Sequence, residues 1–303
     1  MVRDLTEHAP AHSLIVKLLT EWDAGRIRLG STPGEVVIDD ESRGWYWGVL
    51  GERKVAEVLG YLGPDTTVLH SVPIGAQGAD VDHLVIGPGG VFTINTKYHS
   101  GASIWTAGYG LQVNGTSRAK YLRSAVREAG QVENRLSTAA GFAVPVYPVL
   151  AFVDPGSFRK TAPNYVDGVE VSVTTADRLL EALTNRRELS DEQVARVAQV
   201  ARDVTTWQKA PQPTAPGEHL AREFDALREA LGPALDPHGT TRAPYRASRA
   251  PRAGQRSRRP VTRSRRGVGE RLAIGCLGLL LIPIAFFVLS QVMSAVITGL
   301  VSR

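Results

Sequence analysis

The chain has one cysteine, Cys276, in 303 residues. A single thiol excludes an internal disulfide framework and leaves no argument for an oxidising compartment. The sequence also lacks a P-loop, an HExxH pair and a CxxC pair. These gaps remove the usual signatures of nucleotide cradling, zincin chemistry and thiol redox chemistry. The seven histidines do not fall at ligand spacing. GVLG and GPGG lack the strand–glycine–helix context that cradles phosphate. Residues 1–10 show no apolar core behind a basic start, so no signal peptide is read. Aromatic residues are sparse, at 7%, which makes the run Trp45-Tyr46-Trp47 stand out. It reads either as a base-stacking platform or as packing against the first helix, and the absence of a surrounding basic run favours packing.

Net charge of one sign is also missing from most of the chain. From Arg242 onward there are twelve arginines and one acid, Glu270, for +11; the remainder has 23 basic and 29 acidic residues, for −6. The formal +5 therefore belongs to the C-terminal segment, and a general electrostatic case for nucleic-acid binding by the rest fails. Residues 236–271 are rich in Arg, Pro, Ser, Ala and Gly with hardly any large apolar side chain, a composition expected of a disordered linker. Residues 272–301 contain no charged side chain. A helix of that length exceeds the roughly 20 residues needed to span a bilayer. Eleven arginines precede it and only Arg303 follows it. The positive-inside rule then places the preceding domain in the cytoplasm, as a single-pass protein of the cell membrane. The arginines are suited to anionic lipid headgroups. Cys276 stands near the cytoplasmic end, as an acylation site or an ordinary apolar-helix residue.

Ahead of the linker the pattern is α/β. An N-terminal extension, 1–44, carries a short amphipathic helix over 13–24 and one strand near 35–38. A main α/β domain covers 45–209, and 210–235 contains a Pro-rich linker and an amphipathic helix over 218–231, loosely attached. Within the main domain, helices are expected at 47–62, 117–136, 175–185 and 190–208. The last opens on a Ser190-x-x-Gln193 capping box. Strands are expected at 66–72, 81–86, 91–97, 103–106, 110–113, 144–153 and 169–173. Val49, Glu52, Ala56 and Leu59 share one stripe of the 47–62 helix, so Glu52 lies on or beside an apolar face. A carboxylate there needs a partner. The exposed side of the 117–136 helix carries Arg118, Lys120, Arg123, Arg127 and Arg135. It is a local basic surface suited to phosphate, or simply a solvated face. Glu128 or Gln131 on this helix is a further polar candidate.

The chain is organised around ADVDHLVIGPGGVFTINTKYH, residues 79–99. Two β-branched runs flank a Gly-Pro-Gly-Gly turn. A turn centred on Pro88-Gly89 sets Ile86 against Val91, Asp82 against Asn95 and Asp80 against Lys97. Period-two alternation puts Asp80, Asp82, Asn95 and Lys97 on one face. Two carboxylates, an amide oxygen and an ammonium in one patch suit a divalent-metal phosphodiesterase site. The same four residues also suit a solvated sheet face with a cross-strand ion pair. His83 alternates to the opposite face, and His99 has the parity of Lys97.

The elements GERKVAEVL, DVDHLVIGPGGVF and NTK resemble the nuclease-related domain (NERD) family over residues 45–137. That family is similar to the PD-(D/E)xK nucleases. The resemblance implies a restriction-endonuclease-like core, a central mixed sheet flanked by helices. It implies that Glu52 is the helix glutamate, Asp82 the metal-binding strand aspartate and Lys97 the lysine of the (D/E)xK element. Asn95 stands where that element usually has a carboxylate. The activity implied is hydrolysis of DNA with Mg²⁺ or Mn²⁺, held by Asp82 with Asp80 or Asn95. The alternative is a catalytically silent module that binds nucleic acid or protein at the membrane.

Overall fold

The computed structural model describes residues 4–235 apart from 33, 76–78, 184–186 and 209–214. The linker expected at 236–271 and the membrane helix expected at 272–301 lie outside the described residues. Among the described residues no helix is long and apolar enough to cross a membrane.

The elements in chain order are α1 (His12–Asp23), β1 (Arg28–Leu29), β2 (Val36–Val37), α2 (Asp40–Leu59), β3 (Thr67–Pro73), β4 (Asp80–Gly87), β5 (Gly90–Tyr98), β6 (Ser103–Gly108), β7 (Gly110–Val113), β8 (Thr116–Ser117), α3 (Lys120–Ala140), β9 (Val146–Val153), β10 (Ser157–Val166), β11 (Val169–Thr175), α4 (Leu179–Leu183), α5 (Asp191–Arg202) and α6 (Gly217–Leu231). Strands β3 to β11 form one nine-stranded sheet in the order β3-β4-β5-β9-β11-β10-β6-β7-β8. The β3-β4-β5 meander is antiparallel, and β5, β9 and β11 run parallel to one another. The sheet is thus mixed and flanked by helices, as the family resemblance implies.

Each face of the sheet is covered by apolar contacts. Val55 and Leu59 of α2, with Leu179 and Leu183 of α4, pack on Val85, Phe92 and Ile94. Val132 and Leu136 of α3, with Val197 and Ala201 of α5, pack on Leu84, Ile86 and Val91. The first half of α3 continues onto Leu150, Phe152, Val171 and Val173 through Leu122 and Ala125. Outside this core, α1 and α6 pack against α2 through Ile15, Leu18, Tyr46, Val49, Leu220 and Phe224. Helix α6 is therefore docked rather than loosely attached: Phe224 is fully buried, and Arg53 pairs with Asp225 at 2.6 Å. Tyr46 packs on Phe224 and the Trp47 indole donates to the Leu235 carbonyl, so the aromatic run serves packing.

Helix α2 begins seven residues before the sequence pattern suggests. Asp39 caps it by accepting from Ser42 N–H at 2.6 Å, a signal that Gly44 and the aromatic run obscure. Strand β10 is absent from the sequence expectations. Its polar run FRKTAPNYV buries only Asn164, so alternation gives it no signature. Helix α2 approaches β5 closely because residue 51 is glycine. A Cβ there would sit 3.1 Å from Cβ of Tyr98 and 3.3 Å from Cγ2 of Thr96. Gly51→Val is expected to overpack this seam and destabilise the fold by about 1–3 kcal/mol. Chemical denaturation reads this directly, and an unchanged midpoint would show that the two elements can separate freely.

Candidate active site

The hairpin register is as the turn dictates: Ile86 opposes Val91 and Gly87 opposes Gly90. The ladder stops at His83–Ile94, one step before Asp82. Beyond that step a side chain replaces the backbone partner. Asp82 Oδ2 accepts from Thr96 N–H at 2.6 Å. This fixes the carboxylate at the point where β4 leaves β5, beside Asn95 and Lys97. The Lys97 ammonium donates to Asn95 Oδ1, and to the Thr96 carbonyl at 3.1 Å. It also sits over the Tyr121 ring, 5.0 Å from its centre. Asn95 Nδ2 donates to Glu128 Oε2 at 2.7 Å, which settles which helix residue joins the patch.

Glu52 is only 6% exposed, one residue after the glycine that lets α2 reach the sheet. Burial pushes its carboxyl well above the usual range, and the charges of Asp82 and Asp80 push the same way. Lys97 and the backbone of Ala11 oppose them. Asp82 is pushed up to about 7, chiefly by burial, against the pull of Lys97. Glu128 is raised by burial and held back by its bond from Asn95. Glu52, Asp82 and Lys97 therefore sense one another, while Asn95 links Lys97 to α3.

Asp80 departs from its expected place opposite Lys97. It lies beyond the end of the β4–β5 ladder, and its register partner is Pro73 of β3. Burial raises its carboxyl, offset by a bond from Ser13 and by the charge of Lys17, both on α1. The N-terminal segment thus covers the acidic patch, which periodicity could not show. His12 N–H donates to Ser71 Oγ at 2.9 Å. Ser71 lies between the His70–His83 and Val72–Val81 pairs of the β3–β4 ladder, at a left-handed φ of 47°.

The basic side of α3 is only partly free. Lys120, Arg123 and Arg127 are exposed and Arg118 is half-buried. Arg135 instead ties the fold together, donating to the carbonyls of Trp207 and Ile74. Four of the histidines, His8, His12, His70 and His83, come together in space. His8 stacks on His12 with ring centres 4.2 Å apart, and His70 meets His83 Nδ1 to Nδ1 at 2.8 Å. His8 Nδ1 lies 3.1 Å from the Ser71 carbonyl. His99 lies between Tyr121 and Phe152, near enough to Lys97 for the ammonium to help burial lower its pKa. Among the described residues no three His, Cys, Asp or Glu side chains form a ready metal cluster.

The donors at the patch nonetheless suit a hard dication. Asp82, Glu52 and the Asn95 amide supply only oxygen ligands. Burial, and the carboxylates beside them, raise both carboxyls above the usual range. Fold and site together define an α/β protein with carboxylates, an amide and a lysine gathered at the open end of a hairpin. Residues 47–153 match the family model NERD, described as the nuclease-related domain. The match runs from within α2 to the end of β9, so it contains Glu52, Asp80, Asp82, Asn95, Lys97 and Glu128. No curated protein and no solved structure matches the chain.

Proposed function

We propose that this domain hydrolyses phosphodiester bonds in DNA with Mg²⁺ or Mn²⁺, tethered to the membrane by residues 272–301. One observation carries the reading. Asp82 is pinned on Thr96 N–H within a nuclease-related domain, beside Asn95, Lys97 and the buried Glu52. Asp82 and Asn95 Oδ1 would hold the ion. Asp80 is a weaker ligand, being committed to Ser13 and Lys17. When bound, the ion supplies Lewis-acid polarisation of the scissile phosphate. Lys97 offers its ammonium to a non-bridging phosphate oxygen and offsets the charge that develops there. Glu52 is a buried carboxyl within electrostatic reach of Asp82 and Lys97. Lys120, Arg123 and Arg127 lie on the helix that carries Glu128 and give DNA phosphates a path along α3. The arginines of 242–271 supply the positive charge that anionic lipid headgroups attract.

A second reading, binding without cleavage, has its own support: Lys97 is already engaged by Asn95 Oδ1 and the Thr96 carbonyl. Labelled single-stranded, duplex and nicked DNA separate the two. Cleavage is expected with Mg²⁺ or Mn²⁺ and is expected to vanish in EDTA. Folded protein that retains DNA without cutting it at any metal concentration would establish the silent module instead.

A further inference from the structure

The exchange of a carboxylate for Asn95 removes one negative charge from the strand, yet the Asn95 amide is not left neutral at both ends. Its Nδ2 donates to Glu128 Oε2 at 2.7 Å, and its Oδ1 accepts from the Lys97 ammonium. The three side chains form a line: carboxylate, amide, ammonium. The amide dipole is aligned with that field, NH₂ toward the anion and oxygen toward the cation. We propose that Glu128 is a positioning residue that returns the missing charge to the site by polarising and orienting Asn95, so that its amide oxygen serves in the carboxylate's place. The proposal rests on the metal-dependent reading above.

Three observations support it. First, the bond fixes the amide flip: a carboxylate accepts only, so Nδ2 must face Glu128 and Oδ1 faces Lys97. Second, hydrogen bonds in series strengthen one another where water is scarce, and Asn95 is 8% exposed. An amide N–H held by a carboxylate leaves its oxygen a better donor to a cation. Third, the pair is mutually exclusive with the usual pattern. An aspartate at position 95 would set two carboxylates at hydrogen-bond distance, which disfavours the doubly ionised state. Asn95 and Glu128 are therefore matched: the charge has moved from the strand to α3. Glu128 also keeps contact with the basic side of that helix, with Arg127 3.9 Å from its Oε1. The helix that would carry DNA phosphates is thereby tied to the strand that holds the ion.

The test is Mn²⁺ binding by the full chain, read from the loss of the free-ion paramagnetic resonance signal. Wild type, Glu128→Gln and the double variant Asn95→Asp/Glu128→Gln are compared. Glutamine keeps an acceptor for Asn95 Nδ2 and removes only the charge. Glu128→Gln is expected to weaken Mn²⁺ binding about 10- to 100-fold, the usual loss when a partner of a metal ligand is removed. The double variant returns the charge to the strand and is expected to recover affinity to within about 3-fold of wild type by the same ligand-charge argument. A purely structural role for Glu128 would not predict that rescue. Unchanged binding in Glu128→Gln, or no rescue in a double variant with wild-type melting in EDTA, overturns the proposal while leaving the metal-dependent reading intact. A wild type that binds no Mn²⁺ overturns both.

Discussion

Lys97→Met is expected to lower the cleavage rate about 10²- to 10³-fold while leaving the fold and DNA retention in place. The size follows from where the ammonium sits. Lys97 is partly exposed, and its partners are neutral acceptors, Asn95 Oδ1 and the Thr96 carbonyl. A phosphate oxygen competes well with either, because an anion attracts the ammonium more strongly than an amide does. The charge is therefore available to a transition state that carries more negative charge than the ground state. Methionine preserves much of the apolar stem beside Tyr121 but cannot donate. The loss should fall on kcat with KM nearly constant, since the α3 cations contact phosphates elsewhere on the strand. A variant that cuts as fast as wild type would remove Lys97 from the reaction.

Much of this site was legible in the sequence because a hairpin has few degrees of freedom. Once Gly87-Pro88-Gly89-Gly90 fixes the turn, register follows, and period two assigns Asp82, Asn95 and Lys97 to neighbouring positions. Glu52 was readable from helical spacing because a carboxylate on an apolar stripe requires an explanation. The remainder depended on where the ladder ends. Extrapolated register set Asp80 opposite Lys97, but the β4–β5 ladder stops at His83 and α1 takes Asp80 through Ser13 and Lys17. No local pattern encodes that contact, since the residues are more than sixty positions apart. The same holds for His8, His12, His70 and His83, which become neighbours only when the N-terminal segment and α1 meet β3. It also holds for Arg135, whose spacing resembles its exposed neighbours but whose guanidinium is spent on two carbonyls. Glu128 was one of two helix candidates until the distance to Asn95 selected it.

The acidic patch also sets how stability responds to pH, and Asp82→Asn exposes this. Folding raises the Asp82 carboxyl from its ordinary 3.8 to about 7. Between those values the folded chain binds a proton that the unfolded chain has released, so stability falls as pH rises. Above neutrality the full cost stands, of the order of 4 kcal/mol. Asparagine carries no such charge, and its side-chain oxygen can still accept from Thr96 N–H. In EDTA at pH 8, Asp82→Asn is expected to melt roughly 5–10 °C above wild type. Near pH 4 that gain should vanish, because the wild-type carboxyl is then protonated in the folded protein. His12 and His70 act in the opposite sense. Burial lowers each from 6.5 to about 4, so the unfolded chain takes up protons first and stability rises with pH across that window. In wild type the two slopes oppose each other; Asp82→Asn removes the Asp82 contribution, so its melting temperature relative to wild type climbs from pH 4 toward 7. Equal melting of the two proteins at pH 8 would show that Asp82 is not held ionised against a desolvated surround. A higher melting temperature would mean that the fold carries an uncompensated anion at rest. Mn²⁺ should then stabilise wild type at pH 8 more than Asp82→Asn, because the variant has lost the Asp82 charge that the ion neutralises.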